Sequence, residues 1–302
     1  MIRRINECRI NRSWQGLTDT AEITIPRKVK DFNRMKIGEW FRPGDPVIIE
    51  LGYDGNYHVE FTGYVKATPA GIPLVISCED EMYKLKRKVI SVSLSNCTLK
   101  ELLQTIAPGY KIVCDETKLM GSFRFAKLTQ AQCLEELKRQ GIACYFDDKV
   151  LHAMDTKSRI DGTIHDIQIE KTAGYNLEVK EIQKTKVKIE LTRKIGKKFV
   201  VEYGDENAAL FLKRSYSGIA MSKAEMREEA KGIYARAKMP GLDGDISLFG
   251  IPQVKLGDSL KLHSSFYKNA PEYNKAYSVD SITKAFSPQG FRQVCKLGDL
   301  KI

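Results

Sequence analysis

Pro43-Gly44-Asp45-Pro46-Val47-Ile48-Ile49 has a counterpart far down the chain in Leu256-Gly257-Asp258-Ser259-Leu260-Lys261-Leu262. Each is a Gly-Asp turn that feeds an apolar run, as when a chain reverses into a strand. Further matches follow both turns in the same order. Tyr57-His58-Val59 matches Tyr277-Ser278-Val279, and Val65-Lys66-Ala67 matches Thr283-Lys284-Ala285. Gly71 then matches Gly290, and Val75 and Cys78 match Val294 and Cys295. Tight turns favour glycine and aspartate everywhere. The ordered set, rather than any one member, points to an internal duplication.

Around the first turn the chain reads as β. Thr20 to Ile25, Val47 to Leu51, Tyr57 to Val65 and Leu74 to Cys78 are short alternating runs separated by turn residues, which suggests a sandwich or barrel. Residues 93–165 change character. Thr98-Leu99-Lys100-Glu101 and Thr129-Gln130-Ala131-Gln132 are capping boxes, in which side chains satisfy the orphan donors of a helix start. Leu99, Leu102, Leu103 and Ile106 share one helical face; Cys133, Leu134 and Leu137 share another. Ile142 to Phe146 and Val150 to Met154 read as a hairpin. From Asp166 strands return, clearest over Val179 to Leu191 and Lys197 to Tyr203. A third capping box, Ser222-Lys223-Ala224-Glu225, opens a helix to Lys238 with Met226, Ala230, Ile233 and Ala237 on one stripe and Met221 placed as a hydrophobic staple. The fold class expected is α+β, mainly β: two similar antiparallel β-barrel domains at 1–92 and 166–302, with an α+β module at 93–165. A helix-bearing insert around 204–240 interrupts the second barrel, and its packing partner is left open.

Composition narrows the function. Hydrophobic residues form 42% and charged residues 29% of 302 residues, a folded chain rather than a disordered one. No apolar run reaches membrane-spanning length, and the N-terminus lacks a secretory apolar run, so synthesis and folding in the cytosol are expected. The seven cysteines are scattered with no C-x-x-C pair, so no metal site or redox dithiol is signalled and burial as small hydrophobes is expected. A net charge of +11 raises the alternative of a basic nucleic-acid-binding module. Yet Lys184, Lys186 and Lys188 alternate with Val187, Ile189 and Leu191, which places them on the wet face of a strand. Trp40-Phe41 and Phe266-Tyr267 at loop edges are stacking platforms on that alternative and barrel-end plugs on the preferred one.

Several stretches spell catalytic patterns. Gly257-Asp258-Ser259-Leu260 spells a serine-esterase signature, but His263 is the only histidine beyond it and lies on the same strand, poor geometry for a triad. His58, His152, His165 and His263 lack ligand spacing. Glu79-Asp80-Glu81, Glu135-Glu136 and Glu228-Glu229 are the acid clusters a cell-wall hydrolase would need; they are expected to be solvated charges. Phosphate-binding glycine loops are absent. No catalytic, cofactor-binding or metal residue is expected, and no cofactor.

Gly44-Asp45-Pro46-Val47-Ile48-Ile49-Glu50-Leu51, then Phe61-Thr62-Gly63-Tyr64-Val65 and Cys78-Glu79-Asp80, resemble the first barrel of the phage contractile-tail baseplate hub family. That family includes the late-control protein D group and the hub part of type VI secretion spike proteins. Lys275-Ala276-Tyr277-Ser278-Val279, Gly290-Phe291 and Leu297-Gly298 resemble the end of its second barrel. The resemblance implies a virion structural protein without enzymatic activity, located in the virion tail or an injection-apparatus baseplate. It implies a homotrimer in which six barrels form a pseudo-six-fold ring between a tail tube protein and a central spike protein. Nucleic acid would be met only in passing, if the ring lumen conducts DNA, and no membrane is involved. With no extension after Ile302, the spike is expected to be a separate protein.

Overall fold

The computed structural model describes residue 2 and residues 5–26, 40–68, 73–155, 162–192, 198–217 and 221–300. The chain is mainly β. β1 (Glu7–Ser13), β2 (Thr20–Ile25), β3 (Pro46–Tyr53), β4 (Asn56–Ala67) and β5 (Leu74–Glu79) make a first unit. The middle of the chain holds α1 (Met82–Leu85), β6 (Val89–Thr98), α2 (Leu99–Ile106), β7 (Lys111–Val113), β8 (Leu119–Thr129), α3 (Gln130–Arg139), β9 (Ile142–Asp147) and β10 (Val150–Asp155). Then come β11 (Ile164–Gln168), β12 (Gly174–Val179), β13 (Thr185–Thr192), β14 (Lys198–Gly204), β15 (Leu210–Ser217), α4 (Lys223–Ala237), β16 (Leu242–Phe249), β17 (Ser259–His263), β18 (Ala276–Ser287) and β19 (Gly290–Leu300).

The strand order of the first unit is β1-β2-β5-β4-β3, antiparallel throughout. A second unit has the order β12-β16-β19-β18-β17, also antiparallel throughout. The two match strand for strand. One row across the first sheet reads Ile10, Ala21, Cys78, Val65; the corresponding row of the second reads Tyr175, Ile246, Cys295, Ile282. Burial pushes the thiols of Cys78 and Cys295 up to about 12, so they remain neutral and pack as small hydrophobes.

The Gly-Asp turns share the same core geometry. Gly44 and Gly257 have φ of 100° and 91°, a backbone that glycine adopts without steric cost. Asp45 Oδ2 accepts from the Arg42 amide at 2.8 Å, and Asp258 Oδ2 from the Lys255 amide at 2.9 Å. The Asp45 carbonyl accepts from the Val65 amide and the Asp258 carbonyl from the Val279 amide. This overturns one detail of the sequence match. Ser278 stands opposite Ser259 as Tyr64 stands opposite Pro46, so Tyr277-Ser278-Val279 answers the end of β4, not Tyr57-His58-Val59. Val65 answers Ile282 rather than Thr283, because β18 carries register shifts between Tyr277 and Ser281. Gly71 lies outside the described residues.

The units share one eleven-stranded sheet, because β1 pairs with the far half of β18 and β11 adds in parallel to β17. The middle region packs α2 and α3 over a core that includes Leu102, Leu103, Phe123, Leu134 and Phe146. All three capping boxes form, each with reciprocal side-chain and backbone bonds. The insert expected around 204–240 begins earlier, because β13 and β14 join β15 in one three-stranded sheet, β14-β13-β15, between β12 and β16. α4 packs on its inner face through Met226, Ala230 and Ile233 against Val187, Ile189 and Leu191. Lys186 and Lys188 point outward, as the alternation required. The run from Val179 to Leu191 is not one strand. It breaks between β12 and β13, where the half-exposed Ile182 falls out of phase with Val187, Ile189 and Leu191 and, among the described residues, lies in no strand.

Candidate functional site: the junction between the two β units

The sequence marks no catalytic centre, and the densest buried chemistry lies where the units meet. β1 and β18 run antiparallel from Cys8 opposite Phe286 to Ser13 opposite Ser281. Behind this ladder the Lys284 ammonium pairs with the Glu60 carboxylate, and both residues are at most 5% exposed. Gln253 Nε2 donates to the other oxygen of Glu60 at 3.0 Å. Gln293, fully buried, donates to the carbonyls of Phe249 and Pro252 and accepts from the Val254 amide. Tyr53 Oη donates to the Phe291 carbonyl at 2.7 Å and accepts from the Gly250 amide at 3.0 Å. Burial holds the Lys284 ammonium below its usual value, with Glu60 opposing that drop. A buried ion pair adds little net stability, but losing one partner strands the other charge. Glu60 and Tyr53 belong to the first unit; Lys284, Gln253, Gln293 and Phe291 belong to the second. The network therefore fixes their relative placement.

A second polar cluster ties the first unit to the middle region. Arg12 Nε donates to Asp19 at 2.8 Å, and its Nη2 to Asp147 at 3.1 Å. Burial works against the guanidinium, but the two carboxylates outweigh it and hold its pKa above the usual value. Asp19 Oδ1 accepts from the Ser13 amide, and Asp80 accepts from the amides of Asp19 and Met82. Burial, then the nearby Asp19, push the Asp80 carboxyl well above its ordinary value.

The acid clusters fare differently from the expectation of solvated charge. Glu79, Asp80 and Glu81 are all at most 5% exposed. Glu79 is held by Lys66 and Lys86 at 2.7 and 2.9 Å. Glu81 accepts from the hydroxyls of Tyr64 and Tyr110. The reason is position. β5 ends there and α1 begins, so the three carboxylates sit under the cover of β4 and the middle region, and each is compensated as burial demands. Glu229 is buried too, accepting from the Tyr216 hydroxyl and facing Arg214. Glu135 and Glu136 form the expected surface pairs with Lys138 and Arg139.

The other candidates resolve simply. Ser259 is fully buried and its Oγ makes no hydrogen bond among the described residues, while His263 turns to Asp166 at 3.0 Å. His165 pairs with Asp258 at 2.9 Å, and His152 stacks on Tyr145. His58 is exposed. Phe41 packs against the first core, whereas Trp40 and Phe266 are exposed. The lysines of β13, β14 and β15 are tied to acids: Glu190 to Lys188, Lys198 and Lys213, and Glu202 to Lys186 and Lys188. No metal-holding cluster occurs among the described residues, and no helix among them is long and apolar enough to cross a membrane.

No protein-family model and no curated protein matches this sequence. Solved structures do match. A tail protein from Neisseria meningitidis is similar over 99% of this chain and 93% of its own, with a TM-score of 0.68 and 12% identity. The chain has the fold of phage tail proteins. The 43 kDa tail protein of prophage MuSo2 from Shewanella oneidensis shares this tail fold at a TM-score of 0.66, over 99% and 95% of the two chains at 12% identity. So does an E. coli component of the type VI secretion system that is itself similar to bacteriophage tail proteins. It has a TM-score of 0.57 and 10% identity, over 98% of this chain and 74% of its own.

Proposed function

We propose that this chain is a structural subunit of the baseplate hub of a phage tail, a prophage tail or a related injection apparatus, akin to the late-control protein D group. Three copies close a pseudo-six-fold ring that joins a tail tube protein to a central spike protein. The observation that carries this reading is the duplicated strand order. Two units with one topology, held side by side by a shared sheet, let three chains present six similar surfaces. The tail-protein fold supports it. The chain is read as two outer β units flanking an α+β module, built for contact rather than catalysis. Its place is the virion tail or the baseplate of an injection machine.

Native mass spectrometry or light scattering on the purified protein tests this. The expected species has three times the chain mass of 34.2 kDa, either alone or after mixing with a tail tube protein and a central spike protein. A chain that stays single in both conditions removes the ring.

A further inference from the structure

The eleven-stranded sheet is branched and has three edge strands, β12, β3 and β11. The molecule shows how the counterpart of one of them is covered. β1 and β12 hold the same place in their units, yet the outer edge of β1 pairs with residues 281–286 of β18. Among the described residues nothing pairs with the outer edge of β12.

The side chains register the difference. Ile10 of β1 is fully buried, while Tyr175, its counterpart by row, is 44% exposed and Val179 on the same face is 60% exposed. Lys180 donates to the Gly241 carbonyl. Polar backbone groups alternate along an antiparallel strand, so Tyr175, Leu177 and Val179 turn theirs to the open edge. β12 also contains neither proline nor lysine, the usual guards of a free edge.

The covering strand has a counterpart as well. β17 pairs with the first residues of β18, and β1 takes the edge beyond them. β3 likewise pairs with β4 only through Tyr64, leaving Lys66 and Ala67 exposed past it. We infer that the edge of β12 takes a strand from a second copy of this chain, the end of that copy's β4 past Tyr64. The junction β18 makes with β1 inside one chain is thereby repeated between chains. This rests on the ring reading and names the surfaces that close it. By register, Thr283 opposes Asn11, so Ala67 of one copy opposes Asn176 of the next.

The test is a double variant, Ala67→Cys with Asn176→Cys, oxidised and run on a non-reducing gel. The expected result is a reducible product of three linked chains that neither single variant gives; the singles control for the native thiols. Self-association without this crosslink overturns the inference and leaves the ring standing. Absence of both crosslink and self-association overturns the two together. A second variant, Val179→Lys, alters a side chain exposed in the single chain, so folding is unaffected. It raises the concentration for half-assembly by about tenfold or more, because a lysine on a strand edge resists further pairing. Unchanged assembly of Val179→Lys counts against the inference.

Discussion

The first β unit is spare and the second is elaborated, although both follow one plan. In the first, β1 returns to β2 through a short connection at residues 14–19. In the second, the equivalent strands β12 and β16 are separated by a whole sheet and helix, β13 to α4. A parallel strand, β11, is also laid on β17. The pairing order survives both additions. A strand connection on the outside of a sheet therefore tolerates long insertion, since loop closure costs grow only slowly with length. What cannot vary is the ladder, because a one-residue slip would turn each core side chain outward.

The largest expected asymmetry lies at the junction. Lys284 of the second unit is buried against Glu60. Its counterpart by register is Thr68, just past β4, whose hydroxyl donates to the Phe41 carbonyl at 3.2 Å. Lys284→Met should lower unfolding stability in urea by about 3–5 kcal/mol, since Glu60 is left charged and buried. Thr68→Val should cost about 1 kcal/mol, the worth of one hydrogen bond. Pairing Lys284→Met with Glu60→Leu should recover most of the loss. Equal costs for the two single variants would mean that the junction holds the units no more tightly than an ordinary loop contact.

The duplicated turns give a finer comparison. Among the described residues Asp45 caps one amide, that of Arg42. Asp258 caps the Lys255 amide, accepts from the Thr163 amide and pairs with His165. The second turn has thus been recruited to hold the chain that leads into β11. Asp258→Ala should cost about 2–3 kcal/mol and Asp45→Ala about 1 kcal/mol, counting the hydrogen bonds lost. Chemical unfolding of the two variants checks the order; a reversal would show that β11 is anchored elsewhere.

How much of this was legible depends on where each signal lives. The turns, the capping boxes and the lysine alternation are local, so they could be read directly. β1 gives little sequence signal because its buried residues, Cys8 and Ile10, stand between Glu7, Arg9 and Asn11. A strand with only two apolar residues gives little periodicity, and this one exists because β2 and β18 flank it. The break before β13 is marked only by Ile182, which lies out of phase with Val187, Ile189 and Leu191, and no proline or glycine announces it. Glu79 to Glu81 read as solvated because charge predicts exposure. Their partners Lys66, Tyr64 and Tyr110 come from β4 and the middle region, and no linear pattern announces them. The junction itself joins residues more than two hundred positions apart. The sequence held its members but not their meeting.

The smallest expected effect is a sameness. If the two turns descend from one design, their glycines should cost the same to replace. Gly44 and Gly257 have φ within ten degrees of each other, and both lead into a strand whose neighbour bonds to the following aspartate carbonyl. Among the described residues a Cβ at Gly44 meets only the Tyr83 ring, at ordinary contact distance, so backbone strain rather than a clash decides the penalty there. Gly44→Ala and Gly257→Ala should each destabilise by about 1–2 kcal/mol, the cost of forcing an L-residue to positive φ. Their midpoints in urea should nearly coincide, even though the aspartates beside them differ. A wide gap between the glycine variants would mean that the two turns share a shape without sharing its energetics, and the duplication would then reach only as deep as strand order.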